Sequence, residues 1–97
     1  MKNDQIDSLT KPTTKTEGLV KDTLSATVLL FNDDCHTFEE VARQIIKATN
    51  YSTSKAKRLT WVVHVQGKAL VFKGDIQICI KISNTLEEID LRTRIEF

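Results

Sequence analysis

The chain has 97 residues, which suits one small domain, because two independent cores rarely form below about 50 residues each. Its 14 Lys and Arg residues against 13 Asp and Glu residues leave a formal net charge of +1, which disfavours a nucleic acid or an anionic membrane as partner. No apolar run approaches the roughly 20 residues of a transmembrane helix, and the N-terminus lacks the apolar segment of a secretory signal. We therefore expect a cytoplasmic protein without a membrane span.

Composition divides the chain into two parts. Residues 1–23 contain only five apolar residues, too few to offset the entropy lost on ordering, so they are predicted to form a disordered N-terminal extension. Residues 24–97 hold the remaining apolar residues and are predicted to form the folded domain. The two cysteines, Cys35 and Cys79, are too few for a disulfide scaffold and are expected to be reduced thiols.

The first half of the folded part predicts a strand and two helices. The apolar, partly β-branched residues 26–31 indicate a buried strand that ends at the turn-forming sequence Asn-Asp-Asp. Thr37 stands three residues before Glu40, the pattern of a capping box, and apolar residues follow at helical spacing. The hydroxyl residues 52–54 offer an N-cap for a second helix, which Gly67 would end.

The second half contains one ambiguous segment between two predicted strands. Residues 68–73 indicate a strand closed by Gly74 and Asp75, and residues 89–97 alternate as a half-buried strand does. Between them, isoleucines at every second position fit a strand, while helical spacing fits residues 76–86 as well, so periodicity does not decide. With a helix there, the order is β-α-α-β-α-β, a small α+β sandwich.

Residues that could carry chemistry concentrate in the loop 32–36 and at the helix end 63–67. Taken singly, Asn and Asp after a strand are usually turn formers, and a His near a helix C-terminus usually interacts with the helix dipole. A thiol enzyme could use Cys35 with His64 as base and Asp33 as orienter, but no oxyanion site is indicated. Three glycines provide no phosphate-binding loop. A zinc site lacks paired ligand spacings, although the chain offers candidate ligands: Asp33, Cys35, His36, His64 and Cys79.

Two sequence blocks together resemble the ClpS family of adaptors, which bring N-degron substrates to the Clp unfoldase and protease. They are Asn32-Asp33-Asp34, directly after the first strand, and VHVQGKA at residues 63–69. The resemblance covers residues 27–96 and has no gap over residues 28–71. It implies a sandwich shared with the C-terminal domain of the ribosomal stalk protein, with a three-stranded sheet packed by helices. It also implies a helix over residues 75–88.

The resemblance implies a polar clamp for the substrate α-amino group, formed by Asn32, Asp33 (partly through water) and His64. That group is mostly an ammonium near pH 7, since its pKa is about 7.7–8.0, and it presents three N–H donors. An amide oxygen, a carboxylate and a neutral imidazole nitrogen are acceptors of the required kind. Asp34 is expected to cap the loop instead.

The resemblance also implies an apolar pocket for a first side chain that is typically Leu, Phe, Tyr or Trp. Its burial contributes roughly 1.5–3 kcal/mol, comparable to a charge-assisted hydrogen bond. The wall positions correspond to Leu30, Phe38, Val41, Thr60, Val63 and Leu91. The alternative role for these residues is ordinary core packing.

The chain departs from the commonest family pattern at several positions. Phe38 and Thr60 stand where many members have Met, His36 where Thr is frequent, and Thr37 where Pro is frequent. The larger ring at position 38, where the family Met gates the pocket, bears directly on which first residues are accepted.

The implied partners are the N-terminal domain of a Clp AAA+ unfoldase and substrates with a free apolar N-terminus, and no cofactor is required. In the family, a flexible N-terminal extension engages the unfoldase, and docking involves the region around the last helix. Here Lys73, Asp75 and Lys81 are candidates by location. The alternatives are a same-fold binding module or Clp regulator with altered or lost N-degron binding and, more remotely, a metal or thiol protein using Cys35 and His64.

Overall fold

The computed structural model describes residues 24–97, so the predicted extension 1–23 lies outside the described residues. Within them the chain forms three strands and three helices in the predicted order β-α-α-β-α-β. The elements are β1 Ser25–Phe31, α1 Phe38–Thr49, α2 Thr53–Gln66, β2 Lys68–Asp75, α3 Ile76–Glu87 and β3 Arg92–Glu96.

The sheet has the order β2-β1-β3, and both outer strands pair antiparallel to β1. Alternate residues of the central strand, Ala26, Val28 and Leu30, are buried and pack with residues from all three helices. The helices therefore cover one face of the sheet, as the predicted sandwich requires. The hydrophobic core consists of Ala26, Val28, Leu30, Val41, Ile45, Ala56, Val63, Ala69, Val71, Cys79, Ile82, Leu86 and Leu91.

Side chains at the helix starts explain where α1 and α2 begin. Thr37 caps α1 through the predicted capping box, in which its hydroxyl accepts from the Glu40 N–H and the Glu40 carboxylate accepts from the Thr37 N–H. The Ser52 hydroxyl accepts from the Lys55 N–H at the start of α2. The two helices end at Asn50 and Gly67, both in the left-handed conformation.

The ambiguous segment is a helix, α3, as the family resemblance implied. Asp75 caps it by accepting from the Gln77 N–H at 2.7 Å. Cys79, Ile82 and Leu86 form its buried face, and this helical spacing accounts for the burial. The isoleucine alternation was misleading, because Ile78 and Ile80 are 46% and 40% exposed.

The predicted bounds of the last two strands need correction. β3 covers Arg92–Glu96 rather than residues 89–97, because a turn follows α3. In that turn Asp90 has φ 65° and its N–H donates to the Glu87 carbonyl at 2.9 Å. β2 extends to Asp75 rather than ending at Lys73.

Candidate functional site

The two sequence blocks of the predicted site lie side by side. β1 and β2 are antiparallel neighbours, so the end of one strand meets the start of the other, with Phe31 paired to Lys68. Beyond that pair the Asn32 N–H donates to the Gly67 carbonyl at 2.9 Å. This backbone contact joins the Asn-Asp-Asp loop to the C-terminal end of α2.

His64 occupies the last turn of α2, where its side chain is exposed. The turn is closed by Gly67, whose N–H donates to the Val63 carbonyl at 2.9 Å with φ 88°. The rings of His64 and Phe38 are neighbours, with centroids 5.9 Å apart and planes inclined by 54°. The imidazole therefore lies beside the first residue of α1.

The Asp33 carboxylate organises the loop that follows β1. Its Oδ1 accepts from the backbone N–H groups of Cys35 at 2.9 Å and His36 at 3.0 Å. Its Oδ2 lies 2.8 Å from Nδ1 of the His36 ring. The loop-capping role expected of Asp34 thus belongs to Asp33, and Asp34 is exposed.

His36 links this loop to the turn between α3 and β3. Its Nε2 hydrogen-bonds to the Ile89 carbonyl, while Nδ1 contacts Asp33. The hydrogen bond to Asp33 raises the pKa of His36, against the opposing effect of burial. Burial raises the pKa of Asp33, but hydrogen bonds from the Cys35 N–H and from His36 outweigh it, so the pKa is lowered overall.

Of the six residues predicted to line the apolar pocket, five are buried and Phe38 is partly exposed. The Thr60 hydroxyl is satisfied within α2, since it donates to the Ala56 carbonyl at 2.8 Å. Leu30, Val41, Val63 and Leu91 belong to the hydrophobic core, as ordinary packing would also predict. Phe38 is therefore the predicted wall residue that combines contact with His64 and access to solvent.

The two cysteines of the metal and thiol alternatives lie in different parts of the domain. Cys79 is buried, and its Sγ donates to the Ala26 carbonyl at 3.4 Å, whereas Cys35 is exposed in the loop. Among residues 24–97, no group of three or more His, Cys, Asp or Glu side chains is placed to hold a metal ion. Within the same residues, every helix is too short or too polar to cross a bilayer.

Sequence reasoning treated His36 as a departure from the family pattern and as a candidate metal ligand, and missed its contact with Asp33. The available signal was the spacing, because a His three residues after an Asx-turn Asp can turn back onto that carboxylate. Its second partner, the Ile89 carbonyl, had no sequence signal, since it depends on the turn before β3.

The element order and sheet topology define a class of protein: a small α+β domain whose three-stranded antiparallel sheet is covered by three helices. The family model described as ATP-dependent Clp protease adaptor protein ClpS matches residues 21–93, and the chain belongs to this family. Among solved structures, ClpS2 of Agrobacterium tumefaciens bound to L-phenylalaninamide matches with a TM-score of 0.67 and 20% identity. That match covers 75% of this chain and 98% of the other, which establishes the shared fold. No curated protein matches the sequence significantly.

Proposed function

We propose that this protein is a non-enzymatic adaptor that binds the free α-amino group and bulky apolar first side chain of N-degron substrates. It then delivers these substrates to a Clp AAA+ unfoldase and protease. Membership of the Clp adaptor family supports the adaptor role. The observation that carries the binding proposal is the Asn32–Gly67 backbone contact, which brings the acceptor-rich loop against the helix end bearing His64.

In this proposal the polar clamp supplies acceptors to a bound ammonium group. Three groups each accept one N–H of the ammonium: the Asn32 amide oxygen, the Asp33 carboxylate and a neutral nitrogen of His64. The contact with Asp33 is partly through water. The contact that holds Asn32 against Gly67 uses the Asn32 backbone N–H rather than its side chain, and His64 is exposed. Both side chains can therefore turn to a ligand without breaking that backbone contact.

The first apolar side chain of the substrate enters beside Phe38, between α1 and the end of α2. The other proposed wall residues are buried and would form the floor of this pocket. L-phenylalaninamide, the ligand of the similar ClpS2 structure, has both features of such a substrate, a free α-amino group and an apolar side chain.

A peptide pair tests the clamp directly. A short peptide beginning with free Leu or Phe is expected to bind at micromolar strength or better, about −8 kcal/mol. Its N-acetylated copy is expected to bind far more weakly, because acetylation removes both the charge and the donors. Equal affinities in a calorimetric titration would contradict the proposal.

Single substitutions then assign the clamp residues. His64→Ala and Asn32→Ala are each expected to weaken binding of the free peptide by about 1.5–3 kcal/mol, the contribution of a hydrogen bond to a charged group. Asn84→Ala, at an exposed position of α3, is the matched control and should bind as the wild type does. A loss of folding in the two clamp variants would instead assign those residues a structural role.

The proposed delivery step involves both the domain and the segment before it. We propose residues 24–97 as the adaptor domain and residues 1–23 as the extension that engages the unfoldase. Lys73, Asp75 and Lys81 are exposed at the end of β2 and on α3 and are the proposed docking residues. Removal of residues 1–23 should abolish delivery in a degradation assay while peptide binding is retained. A cytoplasmic location stays a prediction.

A second candidate function is a Clp regulator of the same fold without N-degron binding. The observation that favours it is the engagement of both Asp33 oxygens by the protein's own loop. Binding to the unfoldase N-terminal domain, combined with no preference for free over acetylated peptide, would select this candidate.

A further inference from the structure

His36 stands between two groups that can only accept hydrogen bonds. Its Nδ1 lies 2.8 Å from Oδ2 of Asp33, and its Nε2 contacts the Ile89 carbonyl. A neutral imidazole has one N–H and can donate to only one of these acceptors. Both contacts together require two N–H groups, so the geometry is that of an imidazolium ion.

The groups around His36 favour this charge. Asp33 in the same loop and Glu40 on α1 are the acidic groups that act on it, and the turn before β3 presents a neutral carbonyl at Ile89. The side chains of His36 and Asp33 are 14% and 20% exposed, so their interaction is only partly screened by water. Asp33 and Glu40 both raise the pKa of His36.

One oxygen of Asp33 is the point where His36 and a substrate would meet. Oδ1 already accepts two backbone N–H groups, whereas Oδ2 accepts from His36 alone among residues 24–97. A carboxylate oxygen has room for a further donor, so an ammonium group or its bridging water would share Oδ2 with the imidazolium. Two cations on the same carboxylate repel each other. The ammonium needs its three N–H donors to satisfy the clamp, so the ring is the one expected to lose its proton.

We infer that His36 is a proton-carrying positioning residue of the ammonium clamp: it pairs with Asp33 in the empty site and releases its proton when a cationic N-terminus binds. The inference rests on the proposed function and adds a regulation of that site. By thermodynamic linkage, protonation of His36 weakens substrate binding by the same factor as the substrate weakens protonation. That factor is at least about fivefold, the value for unit charges about 4 Å apart in bulk water, and it is larger where water screens the charges less.

The first test compares the full chain with His36→Gln and with His36→Thr, the residue frequent in the family. Affinity for a peptide beginning with free Leu is measured from about pH 6 to pH 8, across the ordinary range of imidazole titration. The same peptide is used with all three proteins, which differ only at position 36, so the ratio of wild-type to variant affinity isolates the contribution of His36. We expect this ratio to rise at least about fivefold with pH. A constant or falling ratio overturns the inference while leaving N-degron binding established.

Calorimetry in buffers of different ionisation enthalpy provides the second readout. Near neutral pH the wild type should release a fraction of a proton on binding that both variants lack, and equal release would overturn the inference.

The protonation state can be measured without any ligand. Nitrogen NMR of the His36 ring at about pH 6 should show two protonated nitrogens, as expected for an imidazolium. A neutral tautomer at that pH would overturn the inference whether or not the peptide binds. If the free and acetylated peptides bind alike, the proposed function fails, and the inferred proton release fails with it.

Discussion

The hydrogen bonds around the Asp33 carboxylate make the stability of this domain depend on pH. The pKa of His36 is raised above its ordinary value of 6.5, so its contribution is full below that value and is lost as the pH rises through the raised pKa. The pKa of Asp33 is lowered below 3.8, so its contribution is present above that value and is lost as the pH falls through the lowered pKa. The Asp33–His36 pair therefore contributes most to the free energy of unfolding between pH 3.8 and pH 6.5.

We therefore predict that His36→Gln lowers the free energy of unfolding by about 1.5–3 kcal/mol at about pH 5.5, the contribution of a hydrogen bond to a charged group. The difference from the wild type should be smaller at about pH 8.5, because the wild-type ring loses its second N–H as the pH rises through the raised pKa. Urea unfolding at the two pH values measures both quantities. The exposed ion pair of Lys47 and Glu88 is the control, because Lys47→Ala should show little change at either pH.

At this scale the sequence predicted which residue types lie in the loop but not how they pair. Asn32, Asp33 and His64 were chosen as acceptors, and their roles toward a ligand stay predictions. The hydrogen bonds of Asp33 within its own loop were assigned to Asp34 instead, because composition does not distinguish adjacent turn-forming carboxylates. Only the backbone geometry decides which carboxylate turns toward the N–H groups of the residues that follow it.

Gly67 joins two elements at the candidate site. It ends α2 with φ 88°, and its carbonyl accepts the Asn32 N–H that holds the loop after β1. A Cβ atom at this position would meet nothing within 4 Å. The requirement for glycine is therefore conformational, because a left-handed backbone costs other residues roughly 1–2 kcal/mol.

We predict that Gly67→Ala lowers the free energy of unfolding by about 1 kcal/mol and weakens peptide binding, since it strains the link between His64 and the loop. Gly67→Asn is the matched variant, because Asn adopts the left-handed conformation more readily and already does so at Asn50. Thermal unfolding and peptide titration of both variants check this. Equal losses for Ala and Asn would show that the side chain, rather than the backbone angle, is the cause.

The elements differ in how far the sequence alone predicted them. α1 and α2 followed from local signals, because a capping residue and a helical apolar stripe both lie within a few residues of each other. Local signals did not predict α3, since its isoleucines occur at alternate positions, a spacing typical of a strand, although Ile78 and Ile80 are exposed. The family resemblance supplied the choice, and the buried set of Cys79, Ile82 and Leu86 explains it physically.

At the scale of the whole domain, most of the residues predicted to line the pocket also belong to the hydrophobic core. The sequence predicted a β-α-α-β-α-β sandwich, and the structure confirms it. It did not predict how much of the pocket wall is closed in this structure. Burial depends on how α1 and α2 pack together and on how α2 and α3 pack on the sheet, and no local pattern reports that packing.

Because some predicted pocket residues are also core residues, substitutions in the pocket are expected to differ in how much they destabilise the fold. Leu30 is fully buried at the centre of the sheet, between its partners Ala69 and Thr93. Leu30→Ala should therefore lower the free energy of unfolding by about 2–5 kcal/mol through the cavity it leaves. Phe38 is partly exposed at the start of α1, so Phe38→Ala should destabilise the fold less than Leu30→Ala does.

Peptide binding should respond in the opposite order if Phe38 gates the pocket. Phe38→Ala and Phe38→Met are expected to change the relative affinities of peptides beginning with Leu, Phe and Trp. Leu30→Ala, measured where it remains folded, should change affinity for all three more uniformly. Urea unfolding and a titration panel of peptides differing only in the first residue provide the two measurements. An unchanged preference in both Phe38 variants would show that this ring packs beside His64 without selecting the ligand, because a gate must contact the side chain it admits.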